Sequence, residues 1–122
     1  MPSISSDLID AWRAGTVLVQ LVSGEETRAV DQCAAAAAEH SAAFTVWSCH
    51  RGLTPIAPEA KEPIAMLDAI AAHTTPLVAV LLDFEPWLAD PRVLRRLKDL
   101  LPALEAANRR LVLVGERAEL PS

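Results

Sequence analysis

Cysteine is scarce in this sequence. Cys33 and Cys49 are the only two, and they form neither a C-x-x-C motif nor a dense framework. A disulfide scaffold is thereby excluded, and a reduced thiol pair in the cytoplasm is expected. Basic charge is also in short supply. The 16 acidic and 11 basic residues leave a net charge of −5, which argues against the basic footprint of a nucleic-acid-binding domain. Long apolar runs are missing as well. Outside an alanine tract the longest spans Leu77–Leu82, six residues, whereas a membrane helix needs roughly 20. The opening MPSISSDLIDAWRAG has no basic n-region and no long apolar stretch, so no signal peptide is legible. These absences predict a soluble, cytoplasmic protein that meets neither membrane nor nucleic acid.

What is present is an α/β pattern in a chain of 122 residues, a length that predicts one domain over residues 1–122. Val17–Val22, Ala43–Trp47, Leu77–Leu82 and Leu111–Val114 are short, nearly continuous apolar runs. Such runs suit strands covered on both faces, as in a parallel sheet. Helical patterns lie between them. Ser6–Arg13 opens the chain. Ser23-Gly24-Glu25-Glu26 forms an S-x-x-E capping box leading into the alanine tract Ala34–Ala38. Pro63–His73 carries an inward stripe of Ile64, Leu67 and Ile70, with Pro63 in the first turn. The last long helix has Asp90 as N-cap and Pro91 at its first position, and Pro102 is expected to kink or divide it. Cys49–Glu62 reads as a loop. Strand–helix alternation of this kind predicts a three-layer α/β sandwich with right-handed crossovers.

In such a sheet ligands sit beyond the carboxyl ends of the strands. That rim carries Ser23-Gly24-Glu25-Glu26, Ser48-Cys49-His50-Arg51-Gly52, Asp83-Phe84-Glu85 and Gly115-Glu116-Arg117. Asp83, at the end of an aliphatic strand, resembles the metal-holding acid of nucleotide hydrolases. A phosphate-binding loop, however, needs G-x-x-x-x-G-K-[ST] after the first strand. VSGEETRAVDQ stands there instead, with one glycine, no lysine and two carboxylates that repel phosphate. The scaffold is legible and the phosphate grip is not. A receiver domain would need a lysine after the last strand, where only Arg117 stands. Cys49 and His50 are sequence neighbours, a poor arrangement for a nucleophile and its base. His40 and His73 end helices, where a cation suits the dipole. No metal-ligand spacing is present, so no metal site is expected. The bland reading of Asp83 and Glu85 is a pair of solvated strand-end carboxylates.

Three segments, in order, carry a family resemblance: WSCHRGL at 47–53, LLDFEPWLADPRVLRRLKDL at 81–100 and LVLVGERAELP at 111–121. Together they resemble the N-terminal domain of a AAA-type ATPase family found in plastid and cyanobacterial genomes and in other bacteria. The run D-F-x-P-x-L-x-D-P-x-x-x-R-R-L-[KR]-D-L is the most specific part. It includes here Asp83, Phe84, Pro86, Leu88, Asp90, Pro91, Arg95, Arg96, Leu97, Lys98, Asp99 and Leu100. The resemblance implies a P-loop-NTPase-like topology lacking the phosphate loop, with a four-stranded parallel sheet in spatial order 1-4-3-2. In that family the ATP-binding motor follows a segment like AELPS, and the sequence stops at Ser122. No cofactor is therefore expected for this chain, since ATP and magnesium belong to the motor core.

The function expected is a non-catalytic regulatory or protein-interaction domain of a AAA-type ATPase. Its partner would be the motor core, another protein or further copies in a homo-oligomer. Trp87, Arg92, Arg95 and Arg96 are the candidate contacts, since Trp and Arg are enriched at interface hot spots. The alternative is a domain that senses a nucleotide or small molecule without hydrolysis. Its rim would be lined by Ser23, Gly24, Ser48, Asp83 and Glu85.

Overall fold

The structure is a computed structural model, and it describes residues 4–115. Its strands are β1 (Leu18–Val22), β2 (Ala43–Ser48), β3 (Gly52–Thr54), β4 (Leu77–Leu82) and β5 (Arg109–Gly115). Its helices are α1 (Ile4–Arg13), α2 (Glu26–Glu39), α3 (Pro63–Ala72) and α4 (Pro91–Ala106), with a 3-10 turn at Glu85–Ala89. One mixed sheet runs in the order β1-β5-β4-β2-β3. The pairs β1–β5, β5–β4 and β4–β2 are parallel, and β2–β3 is antiparallel.

The expected four-stranded, all-parallel sheet is thus corrected, among the described residues, to five strands of mixed direction. The missed strand is β3. It has three residues inside Cys49–Glu62, too short to show a period, beginning at Gly52 and followed by Pro55. The WSCHRGL segment is therefore a hairpin, with Trp47 opposite Leu53 and Ser48 opposite Gly52. Gly52 is required there: its φ is +75° and a Cβ would collide with the Pro58 carbonyl.

Alternation along the strands divides the core in two. Leu77, Ala79, Leu81, Leu111, Leu113 and Trp47 face α3 and α4, while Val78, Val80, Val112 and Val114 face α1 and α2. β4 and β5 are central and buried along nearly their whole length, which is why Leu77–Leu82 and Leu111–Val114 are unbroken apolar runs. β1 lies at an edge and alternates between half-buried and exposed. α2 buries Ala29, Cys33, Ala36 and Ala37, small side chains that let its axis approach the sheet. α4 buries Val93, Leu97, Leu100 and Leu104, a helical stripe worth about 2 kcal/mol per leucine.

Two helix boundaries differ from the sequence reading. The S-x-x-E box does not form. α2 begins at Glu26, Glu25 occupies the cap position without a side-chain cap bond, and Ser23 Oγ accepts from Glu25 N at 3.0 Å. The hydroxyl closes a local turn before the helix instead, a common competing use of serine. Pro102 does not divide α4, which runs unbroken through it. Pro102 lies on the exposed side, so the carbonyl it leaves unpaired can turn to water. Asp90 does cap α4, its Oδ1 accepting from Arg92 N at 2.9 Å with Pro91 in the first turn.

The amino end of the sheet is closed by two consecutive residues missing from the sequence reading. Arg109 and Arg110 begin β5 and project to opposite faces. Arg109 Nη1 donates to the carbonyls of Ile70, at 2.8 Å, Ala71, and His73, at 2.7 Å. It supplies the cation that the last turn of α3 lacks. Arg110 donates to Thr16 O at 3.0 Å and Trp12 O at 3.3 Å, at the end of α1. Both arginines are buried. One strand start thus pins one helix on each face of the sheet.

Candidate functional site

The carboxyl end of the sheet holds a cleft of about 560 Å³. Its lining comprises Val46, Ser48, Arg51 and Thr54 from the β2–β3 hairpin, Leu82 and Asp83 from the end of β4, and Glu26 from the start of α2. Val46 and Leu82 make part of the lining apolar, while Glu26, Arg51 and Asp83 bring charge of both signs. Ser48 Oγ accepts from Arg51 N at 3.1 Å, which fixes the hairpin turn. Thr45 Oγ1 donates to Thr54 O at 2.9 Å and ties the hairpin to its own strand. Asp83 leaves β4 with φ at +52°, its N–H bonded to Val114 O at 3.0 Å. Aspartate is among the few residues that tolerate this left-handed geometry. Among the described residues Glu26, Arg51 and Asp83 form no ion pair, with each other or with neighbours.

The five rim candidates separate. Ser48 and Asp83 line the cleft; Ser23, Gly24 and Glu85 do not. Gly24 is exposed with open space around it, and Ser23 is occupied in its turn. Glu85 departs most from expectation. It is buried rather than solvated, only 4% exposed. Its Oε1 accepts from Gln20 Nε2 of β1 at 3.5 Å, and its carboxylate lies against Gly115, where a Cβ would come within 3.2 Å. The 3-10 turn, which follows Asp83 at once, folds Glu85 back over the sheet end. No sequence signal separates it from Asp83 two positions earlier. Glu26 and Arg51 were legible as rim residues, but their convergence with Asp83 depends on the hairpin. Glu116 and Arg117 lie outside the described residues.

The partner-contact candidates are tied into the domain itself. Trp87 is half-buried and packs against the α3/α4 core. Arg92 pairs with Asp90 at 3.0 Å, Arg95 with Asp99 at 2.7 Å, and Arg96 with Asp68 of α3 at 2.7 Å. Hydrogen bonds from Arg92 hold the Asp90 carboxyl below its ordinary pKa, and the same pairing raises the guanidinium of Arg92. Arg92 and Arg95 nevertheless remain well exposed.

The histidines and cysteines do not converge. His40 packs its ring against Trp12 at 5.4 Å, and His73 bonds Thr75. Cys33 is buried, and that burial pushes its thiol up to about 11; Cys49 is exposed. Among the described residues no three of His, Cys, Asp and Glu gather as a metal-ligand set. No helix among them is long and apolar enough to cross a membrane.

The segments that carry the resemblance meet in the structure. Trp47 of the hairpin packs edge-to-face on Phe84 of the DFEP turn, centroids 5.9 Å apart, and its Nε1 donates to Ala60 O at 3.0 Å. A profile of the SpoVK-like AAA ATPase N-terminal domain matches residues 4–122. The chain belongs to this family. It has no match among curated proteins or solved structures. Within this AAA N-terminal domain, most of the DFEP-to-RRLKDL run is structural: Phe84 and Leu97 are core, Asp90 is a cap, and Arg96 ties α4 to α3.

Proposed function

We propose that this AAA ATPase N-terminal domain is a non-catalytic regulatory and protein-interaction module serving a AAA motor. The observation that carries the reading is the entry to α2. Where a phosphate loop would present glycine amides and a lysine, the chain has exposed Glu25 and Glu26 at the helix start. Two carboxylates at that position oppose the polyphosphate that the helix dipole would otherwise attract. The contact surface proposed is the outer side of α4 and the turn before it, with Trp87, Arg92, Arg95 and Arg96. A partner gains those arginines by offering acids that compete with Asp90, Asp99 and Asp68.

A second reading, a small-molecule sensor, is favoured by the cleft. Opposite charges line one cavity without neutralising each other, so a ligand bearing both signs would bridge Arg51 to Asp83 and Glu26. Calorimetry of the chain with ATP or ADP and magnesium separates the readings. The interaction module predicts no heat at millimolar nucleotide. Saturable micromolar binding, abolished by Arg51→Ala, would replace it with the sensor.

A further inference from the structure

The open edge of β1 has the properties of a self-complementary interface. Among the described residues β1 pairs with β5 on one side and has no strand on the other. Val17 O accepts from Leu111 N and Ser23 N donates to Gly115 O, so alternate residues of the strand address β5. By that alternation the backbone groups of Leu18, Gln20 and Val22 point outward. The edge lacks the usual protection against pairing. LVQLV contains no charge and no proline, and such features are how edge strands normally avoid association. Val22, 53% exposed, is the one large apolar side chain standing in solvent among the described residues. Gln20 is turned to Glu85, which draws it toward β5 and away from the outer edge.

We propose that two copies of this chain pair antiparallel through β1 about a two-fold axis at Gln20, joining two five-stranded sheets into one. The sequence is symmetric about that residue: Leu18 falls opposite Val22 of the other copy, and Val19 opposite Leu21. Every cross-strand pair flanking the centre is then aliphatic on both faces. The three outward residues of each copy form about six backbone hydrogen bonds in the narrow-pair geometry. Charge favours this direction over the parallel one. The antiparallel arrangement sets the strand end preceded by exposed Arg13 beside the end followed by exposed Glu25 and Glu26. Parallel pairing would set acids beside acids in a chain already carrying −5. A two-fold pairing of this kind is isologous and closes at the dimer.

Sedimentation equilibrium of the full chain, from low micromolar to millimolar, tests the pairing. A reversible monomer–dimer equilibrium is expected. Gln20→Pro removes the central outward N–H, and Val22→Lys places charge on the edge. Each is expected to raise the dimer dissociation constant at least about tenfold. Val22→Lys preserves the circular dichroism and melting of the monomer, whereas Gln20→Pro also removes the bond to Glu85 and lowers the melting temperature while the fold is retained. A chain that stays monomeric to millimolar concentration would overturn the proposal. So would a dimer, or a higher oligomer, that Val22→Lys leaves intact while the monomer stays folded.

Discussion

At the amino ends of the parallel strands, charge is buried and every described use of it is internal. Arg109 and Arg110 direct Nη donors to the carbonyls that end α3 and α1, and the Nε of each is buried without a partner among the described residues. At the carboxyl ends, Glu26, Arg51 and Asp83 line a cleft and pair with nothing among the described residues. The same residue types therefore do opposite work at the two ends of one sheet. A buried cation is held by a converging set of helix-end dipoles, which costs no acid and leaves no ligand site. The cleft charges have no such internal pairing among the described residues, which is the contrast on which the sensor reading rests.

The largest expected effect breaks the packing that supports the cleft. Trp47→Ala removes a fully buried side chain, its contact with Phe84 and its bond to Ala60 O. Urea unfolding is expected to show a loss of about 4 kcal/mol, and an effect below about 1 kcal/mol would deny that the hairpin and the DFEP turn share a core.

Next comes the amino end. Arg110→Met keeps much of the aliphatic stem but leaves Thr16 O and Trp12 O without this donor. A loss of about 2 kcal/mol is expected by the same measurement.

A smaller effect belongs to the α4 cap. Asp90 ionises below its ordinary pKa because Arg92 bonds the charged form. A depressed carboxylate stabilises the fold above its unfolded pKa, and that contribution is lost as pH falls through the lower folded value. Asp90→Asn preserves the cap geometry and removes this acid dependence. In thermal melts over the acid range, wild type should lose its advantage over the Asn variant as Asp90 protonates.

The smallest effect concerns reactivity. Exposed Cys49 should react with a thiol reagent at mildly alkaline pH, while Cys33, raised by burial to about 11, stays protonated and inaccessible until the chain unfolds. The linked stability is present below the ordinary thiol value of 9.0 and is lost as pH rises toward about 11. Two fast-reacting thiols in the native protein would show that α2 opens readily.

Legibility in the sequence followed burial. β4 was readable to the residue because Leu77–Leu82 is covered on both faces, and Asp90-Pro91 marked the start of α4 by local cap chemistry. β3 was not readable, since a three-residue strand exists only through its pairing with β2. The extension of β5 to Arg109 was hidden because arginine does not look like a buried strand residue until distant helix ends are supplied. The capping box failed because Ser23 had a nearer donor in Glu25. At the cleft, Ser48 and Asp83 were legible from strand-end position. Glu85 was misplaced because a 3-10 turn decides which of two nearby carboxylates meets solvent. The segments behind the family resemblance turned out to be largely packing, so they identify the fold more strongly than any site.

The division between the two sheet ends is tested most directly by comparing Arg109→Met with Asp83→Asn in urea unfolding. Asparagine tolerates the left-handed backbone of Asp83, so only the carboxylate charge is removed. Arg109→Met is predicted to cost about 3 kcal/mol, while Asp83→Asn stays within about 0.5 kcal/mol of wild type. Equal losses from the two substitutions would contradict the account, because the cleft carboxylate would then be part of the fold's own support.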